Sequence, residues 1–283
     1  MRLIKKEKSK IKKYNFINYE SVYKSFRWED YYRELTFFRK KKLNAAFNAV
    51  DRHITTQRKN KIALYFEGAD GAKQKYTFLE LSMLSNKTAN FLRKRNIHKG
   101  DRVFIFLPRV PDLYISFLGI LKVGAIAGSL FSAFQEQALL DRLGNSGARI
   151  VFTNSELGSR IKRVKRQLPK LEEIIYVDDY TYRKELASLP DTTHIAEMDP
   201  NDGAFMLYTS GTTGKPKGVV HRHMAILQEH LTAKWVLDIR DDDIYWCTAD
   251  PGWVTGIAYE ILGTLSNGAS TVVYEGRFDP TTW

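Results

Sequence analysis

Short runs of consecutive apolar residues alternate with amphipathic segments along most of this chain. The apolar runs are bracketed by Gly, Pro and Asp and include residues 102–108, 125–131, 149–153, 173–179, 204–210, 243–249 and 270–275. The helical segments between them include residues 111–122, 135–146 and 223–237. Short apolar runs without alternation are typical of strands that are buried on both faces of a parallel sheet. The pattern therefore predicts a layered α/β fold, with mostly parallel sheets flanked by helices.

The first 42 residues have a different character, because they are aromatic and charged without a clear period. We expect residues 1–42 to form an arm that packs on the surface of a domain. Three elements are predicted next: a helix over residues 43–57, a strand over 61–68 and a helix over 77–97. Thr77 and Glu80 have the spacing of a capping box, which predicts where the third element begins.

Two segments bear on domain organisation. Residues 189–202, LPDTTHIAEMDPND, are rich in turn-forming residues and indicate a possible subdomain boundary. Residues 277–283, RFDPTTW, directly follow an apolar strand, and no helix comes after them. Open α/β domains bury such a strand with a further crossover, so we expect the chain to stop before its domain is complete.

The chain has a formal net charge of +12, from 44 basic and 32 acidic residues. This charge suits a nucleic-acid binder, but it equally suits an enzyme that handles polyanionic substrates. Part of the excess lies in residues 1–13 and in the basic run 160–166, as in a solvated arm and a solvated helix face. Aromatic and basic residues do not alternate as they do in base-stacking surfaces, so no nucleic-acid partner is predicted.

The cellular compartment is indicated by cysteine usage and hydropathy. Cys247 is the only cysteine, which excludes an intrachain disulfide, fits a reducing compartment and suggests a small buried apolar residue. No stretch approaches the roughly 18 apolar residues that would span a bilayer. The basic amino terminus is not followed by the apolar segment of a signal peptide. We therefore predict a cytoplasmic protein with no membrane partner.

The chemistry is concentrated in residues 208–218, YTSGTTGKPKG, between a predicted strand and a predicted helix. A strand, a flexible loop and a helix in this order predict a phosphate cradle. Glycines allow the backbone to approach an oxyanion, and hydroxyls and lysines supply donors and positive charge. These residues are Thr209, Ser210, Gly211, Thr212, Thr213, Gly214, Lys215, Lys217 and Gly218.

This loop differs from the Walker loop of kinases and GTPases. Two residues separate Gly211 from Gly214, where the Walker motif has four, and Pro216 follows Lys215, where it has Ser or Thr. The kinase and GTPase interpretations therefore lose their main support.

The motif YTSGTTGKPKGVVH resembles the phosphate-binding signature of the adenylate-forming superfamily, which includes acyl-coenzyme A synthetases. Residues 243–256, DIYWCTADPGWVTG, together with KWVLD, GDRVFIFLPRVPDLY and KVGAIAGSLFSAF, are similar to acetate–coenzyme A ligases, particularly their shorter bacterial form. The resemblance covers residues 18–283, nearly the whole chain.

The resemblance implies a reaction in which acetate attacks the α-phosphorus of ATP, giving acetyl-adenylate and pyrophosphate. The coenzyme A thiol then displaces AMP. Neither step needs a nucleophile from the protein, so the residues would orient reactants and stabilise negative charge. It implies that residues 209–215 hold the β- and γ-phosphates, bridged by Mg²⁺, with Lys217 as an auxiliary charge. ATP, Mg²⁺, coenzyme A and acetate are the implied ligands.

The resemblance also assigns the acyl and coenzyme A sites. Val254 and Thr255, beside Trp253, would line the acyl pocket, with Thr255 also near the pantetheine; the alternative is a helix start at which Trp and Val fill the core. Arg160 and Arg163 would face the 3′-phosphate of coenzyme A, or else belong to a solvated face.

The two histidines after the phosphate motif raise the question of a metal site. No protein metal site is predicted, since His221 and His223 have no nearby Cys or carboxylate partner and suit packing or a helix start better.

The resemblance implies that residues 43–283 form an incomplete AMP-binding domain and that the mobile carboxy-terminal domain, with its catalytic lysine, is absent. No catalytic residue is therefore assigned, the chain alone is expected to be inactive, and a complementing carboxy-terminal polypeptide becomes a possible partner.

Three alternatives stay open. The first is a ligase for propionate, a medium-chain acid or an aryl acid, with Val254 and Thr255 bordering a deeper pocket. The second is a non-catalytic remnant that binds a nucleotide or a partner chain. The third, suggested only by the net charge, is a nucleic-acid binder.

Overall fold

The computed structural model describes residues 14–209 and 214–276. The helices, in chain order, are α1 (Tyr19–Ser25), α2 (Ala45–Ala49), α3 (Phe78–Lys94), α4 (Pro111–Lys122), α5 (Glu136–Ser146), α6 (Ser155–Val164), α7 (Tyr180–Ser188), α8 (Ala225–Trp235), a π-helix (Gly256–Gly263) and a last turn (Thr264–Ser266). The strands are β1 (Ile62–Glu67), β2 (Lys73–Thr77), β3 (Arg102–Phe106), β4 (Ile126–Ser129), β5 (Ile150–Thr153), β6 (Glu173–Tyr176), β7 (Gly203–Thr209), β8 (Lys217–Arg222), β9 (Ile244–Trp246) and β10 (Ser270–Tyr274).

The strands form two sheets, and the predicted layered α/β fold is confirmed. A six-stranded sheet has the order β6-β5-β3-β4-β7-β8, and a four-stranded sheet has the order β2-β1-β10-β9. Neighbouring strands are parallel except at one side of each sheet, where β8 and β2 are antiparallel to β7 and β1. β2 and β8 were not predicted as strands, because neither forms a continuous apolar run.

α3 packs closely against α4, and both helices contribute buried apolar residues to the main core. Every residue of α4 except Asp112 is buried, because its sequence is apolar on all sides. The two helices approach closely at Gly119, where a Cβ atom would lie 2.7 Å from the Thr88 side chain. α3 begins at the predicted capping box: the Thr77 hydroxyl accepts the Glu80 N–H at 3.1 Å, and the Glu80 carboxylate accepts the Thr77 N–H at 2.7 Å.

The prediction of one helix over residues 43–57 was wrong. α2 is capped by Asn44, whose side chain accepts the N–H groups of Ala46 and Phe47, but it ends at Ala49. Val50 leaves helical geometry, with φ −128° and ψ −57°, and the chain continues in 3₁₀ turns. This change of direction brings the Asp51 carboxylate to 2.8 Å from the buried ammonium of Lys122, a tertiary contact that local periodicity does not encode.

The prediction of a subdomain boundary over residues 189–202 was also wrong. The segment lies along α3, where the side chain of Asn86 donates to the Asp191 carbonyl and that of Asn90 to the Pro190 and Thr192 carbonyls. The strands on either side of it, β6 and β7, belong to the same sheet.

Residues 14–42 lie against α8 through an aromatic cluster. The ring of Trp235 stacks on Phe16 at 4.9 Å and meets Tyr31 edge-on at 4.9 Å and Phe26 at 6.1 Å. Residues 1–13 of the predicted arm lie outside the described residues.

Candidate active site

β7 and β8, on either side of residues 210–216 of the phosphate motif, pair as antiparallel strands, so the prediction of strand, loop and helix was wrong. β8 follows the loop and pairs with β7, with Thr209 opposite Lys217, and α8 begins only at Ala225. The loop is therefore not a helix N-terminus, and anion binding there would depend on backbone N–H groups, hydroxyls and lysines.

The described residues of this motif are 208–209, at the end of β7, and 214–218, which lead into β8. Thr209, at the end of β7, is exposed, as are Lys215 and Lys217. Gly214 has φ +87°, a conformation that a side chain at this position would strain. Four residues of the predicted cradle lie outside the described residues: Ser210, Gly211, Thr212 and Thr213.

The predicted acyl residues follow β9 in a tight loop. The Asp250 carboxylate accepts the Gly252 N–H at 2.7 Å, and the Asp250 carbonyl accepts the Trp253 N–H at 2.9 Å. Trp253 and Val254 are each 49% exposed, and Thr255 is exposed directly before the π-helix. The triplet therefore does stand at a helix start, but Trp253 and Val254 do not fill the core.

The two predicted coenzyme A arginines have different surroundings. Arg160 is half-buried, and its guanidinium donates to the carbonyls of Ser132 at 2.9 Å and Phe134 at 3.1 Å. Arg163 is exposed and forms an ion pair with Glu136 at the start of α5. The coenzyme A role of both residues stays a prediction.

The short loop Phe131–Phe134, after β4, joins these groups. Phe131 lies 6.0 Å from Trp253 and 5.8 Å from Phe134, measured between ring centroids. The Arg142 guanidinium lies over the Phe134 ring at 4.1 Å and the Tyr208 ring at 5.7 Å. Through this loop the predicted acyl residue Trp253, the end of β7 and Arg160 share one support.

Residues 250–255, which carry the predicted acyl triplet and are called the acyl loop below, also approach the backbone of this support. A Cβ atom on Gly252 would lie 2.5 Å from the Phe131 nitrogen, so only glycine fits without movement. Phe131 and Phe134 belong to the KVGAIAGSLFSAF block, but the sequence alone predicts no role for them. The spacing of the pair carries no chemical signal, because their role comes from contacts with residues distant in sequence.

His221 and His223 pack as expected. His221 stacks on Phe205 with a centroid distance of 4.4 Å, and the buried Nδ1 of His223 accepts the Ala45 N–H at 3.1 Å. Burial lowers the pKa of His223 to about 4. Within residues 14–209 and 214–276, no group of three or more His, Cys, Asp or Glu side chains is placed to hold a metal ion.

A buried polar group that the sequence analysis missed lies beneath the acyl loop. Burial raises the pKa of Glu260 well above its usual value and also raises that of Asp250. Within the described part of the chain, neither Glu260 carboxyl oxygen nor the Tyr114 hydroxyl makes a hydrogen bond of standard geometry. Arg109 lies nearby and donates to the carbonyls of Thr248 and Gly276.

Cys247, also in this region, is buried as predicted, and burial raises the pKa of its thiol. In the described part of the chain, no helix has the length and apolar character needed to cross a membrane.

Comparison with known proteins defines the class. The family model of AMP-binding enzymes matches residues 50–283, so the chain belongs to this family. Among its relatives, the acetyl-coenzyme A synthetase of Bacillus subtilis (strain 168) is 47% identical across 95% of this chain and 48% of the relative. The acetyl-coenzyme A synthetase of Methanothrix thermoacetophila is 38% identical across 84% of this chain and 40% of the relative.

A solved structure agrees with this assignment. The crystal structure of Brucella canis acyl-CoA synthetase superposes with a TM-score of 0.85 and 29% identity, covering 93% of this chain and 49% of that one. The chain spans about half the length of the relatives that it matches.

Proposed function

We propose that this chain is part of an acetate–coenzyme A ligase, which converts acetate, ATP and coenzyme A into acetyl-CoA, AMP and pyrophosphate. The observation that carries this proposal is the shared support at Phe131–Phe134. The loop contacts Trp253 of the acyl triplet, Arg160 of the candidate coenzyme A pair and, through Arg142, the strand that leads into the phosphate loop. The two-step reaction needs these three ligand sites close together.

In the first step, a carboxylate oxygen of acetate attacks the α-phosphorus and pyrophosphate leaves. Thr209, Gly214 and Lys215, with the rest of the loop at 210–213, would orient the β- and γ-phosphates, and Lys217 would add charge. Magnesium bound with ATP would neutralise phosphate charge. The side chain of the exposed Thr209 carries an oxygen atom, which is the type of ligand that Mg²⁺ prefers. The described residues supply no attacking group, because the substrate does.

In the second step, the coenzyme A sulfur attacks the acyl carbon of acetyl-adenylate and AMP leaves. The exposed Thr255 would lie between the acyl group and the pantetheine. Arg163, which is exposed, can exchange its Glu136 partner for the 3′-phosphate, whereas Arg160 is already held by two carbonyls. We therefore assign the 3′-phosphate contact mainly to Arg163 and a supporting role to Arg160.

The lysine expected to assist adenylation would come from a carboxy-terminal polypeptide, covalently joined or separate. We place the protein in the cytoplasm, where ATP and coenzyme A are available as substrates.

The test is acetate-dependent exchange of labelled pyrophosphate into ATP. The samples are this chain alone, this chain with the separately produced carboxy-terminal half of the Bacillus subtilis relative, and that relative at full length. We expect exchange only in the last two. Replacing acetate with propionate, hexanoate or benzoate then tests acyl specificity, since the small wall of Val254 and Thr255 suits a methyl group.

Two variants test whether the exchange depends on the phosphate loop. Lys215→Met should reduce exchange by about 10- to 100-fold, as expected for loss of one charged hydrogen bond. Lys184→Met, at a lysine on α7, is the matched control and should leave exchange unchanged. Absence of exchange in the complemented sample, with an active full-length control, would contradict the proposed function.

A further inference from the structure

Arg109 connects the two sheets at the candidate site. It lies between β3 of the six-stranded sheet and α4. Its guanidinium donates to the Thr248 carbonyl at 3.2 Å and to the Gly276 carbonyl at 2.7 Å. These two carbonyls follow β9 and β10 of the four-stranded sheet, so one side chain fixes both strand ends relative to β3.

The contact with Thr248 lies directly before the acyl loop. Two residues later, Asp250 begins the tight turn that presents Trp253, Val254 and Thr255. The far side of this turn is held by the close approach of Gly252 to Phe131. Arg109 and Phe131 therefore fix the two sides of the loop, and loss of Arg109 would free the side that leaves β9.

The positive charge of Arg109 also affects the pKa values of two acidic residues near the acyl loop, Asp250 and Glu260. Burial raises the pKa of Asp250 and of Glu260, and Arg109 opposes this rise in both. The other titratable groups near Glu260 are Tyr114 on α4, Tyr245 on β9 and Cys247 after β9; burial raises the pKa of all three. A positive charge at position 109 thus favours the ionised form of Asp250, which is the better acceptor for the Gly252 N–H.

We infer that Arg109 is a positioning residue for the carboxylic-acid substrate: by holding the carbonyls of Thr248 and Gly276, it sets the position of the acyl loop on the four-stranded sheet. This inference rests on the proposed function. Arg109 itself need not touch the substrate. Its loss should therefore weaken use of the acid far more than use of ATP, whose phosphates would lie on the hairpin of the other sheet.

The experiment uses this chain complemented with the carboxy-terminal half of the Bacillus subtilis relative, assayed by pyrophosphate exchange. Arg109→Met should raise KM for acetate about tenfold, as for loss of a charged hydrogen bond, with KM for ATP unchanged. Arg102→Met is the matched control, because Arg102 also donates to carbonyls, those of Ser146 and Gly147, at the opposite end of β3.

Arg109→Lys separates charge from geometry. A lysine keeps the positive charge but cannot make the forked contact to two carbonyls. We expect Arg109→Met, but not Arg109→Lys, to move the acidic limb of the pH profile of kcat/KM for acetate to higher pH, because Asp250 loses the nearby cation. Both variants should raise KM for acetate.

Hydrogen exchange measured by mass spectrometry provides a readout that does not depend on catalysis. In the chain carrying Arg109→Met, the peptide over residues 247–255 should exchange faster than in the unmodified chain, while the Arg102→Met chain should not differ there. Unchanged hydrogen exchange in this peptide would overturn the inference, and so would an equal rise of the KM values for acetate and ATP. An inactive complemented sample combined with the expected change in hydrogen exchange would instead reject the proposed function and confirm only that Arg109 orders the loop.

Discussion

Lys122 shows how a single residue can determine the path of a whole segment. Its ammonium is completely buried and contacts the Asp51 carboxylate and the Asn86 side-chain oxygen, each at 2.8 Å. An unpaired charge at this depth would be strongly unfavourable, so the 3₁₀ turn that delivers Asp51 is required by the tertiary structure. The sequence shows only an amphipathic period here.

Removing one partner of this pair is predicted to be more harmful than removing both. Lys122→Met should lower the free energy of unfolding by about 3–5 kcal/mol, because it leaves the Asp51 charge buried without its partner. The double variant Lys122→Met/Asp51→Leu should recover a large part of that loss. Urea denaturation measures both, and a double variant no more stable than the single one would show that the ion pair is not the cause.

Glu229 on α8 is predicted to make stability depend on pH. Burial raises its pKa to about 8, far above the value for an unfolded chain. The folded state therefore retains a proton that the unfolded state loses, and stability should fall as the pH rises from about 4.5 to about 8.

The test is the slope of stability against pH in this window. Glu229→Gln should reduce the slope and be more stable than the unmodified chain at pH 8. The exposed Glu197→Gln is the control and should keep the original slope. An identical slope in Glu229→Gln would contradict the raised pKa.

Among the elements, those with a strong local signal were predictable from sequence. α3 and α5 have clear amphipathic periods, α4 is an apolar segment longer than a strand, and the parallel strands are short continuous apolar runs. β8 was missed because its residues are mixed in polarity and precede an amphipathic helix, so they resembled the helix start. Its strand character comes from pairing with β7, which is information outside the segment.

The same limit applies to the candidate site. Resemblance implied the candidate phosphate and acyl residues, whereas the contacts of Phe131, Phe134 and Arg109 near them exist only in the folded structure. Contacts over long sequence separation leave no period or spacing in the sequence. The residues that support a site are therefore harder to predict than those that form its motif.

The capping box gives a prediction for α3. Thr77→Ala removes the acceptor for the Glu80 N–H and should destabilise the protein by about 1 kcal/mol. Thr77→Ser keeps a hydroxyl and should have a much smaller effect. The shift in the urea midpoint at constant slope measures this difference, and equal losses in both variants would assign the effect to the lost methyl group.

At the scale of the whole molecule, the outer strand at one side of the larger sheet exposes two apolar side chains. β8 is the outer strand of that sheet, and its Val219 and Val220 are 42% and 43% exposed. Such a strand can pair with another chain. We therefore expect concentration-dependent association of this chain in solution.

Val220→Lys should reduce this association, as measured by static light scattering, because a charge on the strand disfavours pairing. Val236→Lys is the control, because it adds the same charge at a more exposed valine. Val236 is 77% exposed but lies after α8, outside the strands. If Val236→Lys were equally effective, exposed apolar area in general, and not the outer strand, would drive association.

The Phe131–Phe134 loop also limits how the specificity of this protein can be redesigned. In the proposed acyl site, a larger acid could be accommodated by moving Trp253, but Trp253 lies against Phe131, and Arg160 holds the same loop through the carbonyl of Phe134. Widening one site would thus disturb the support of another. Variants selected for longer acids should therefore carry paired substitutions, one in the acyl loop and one that restores the anchoring of α6.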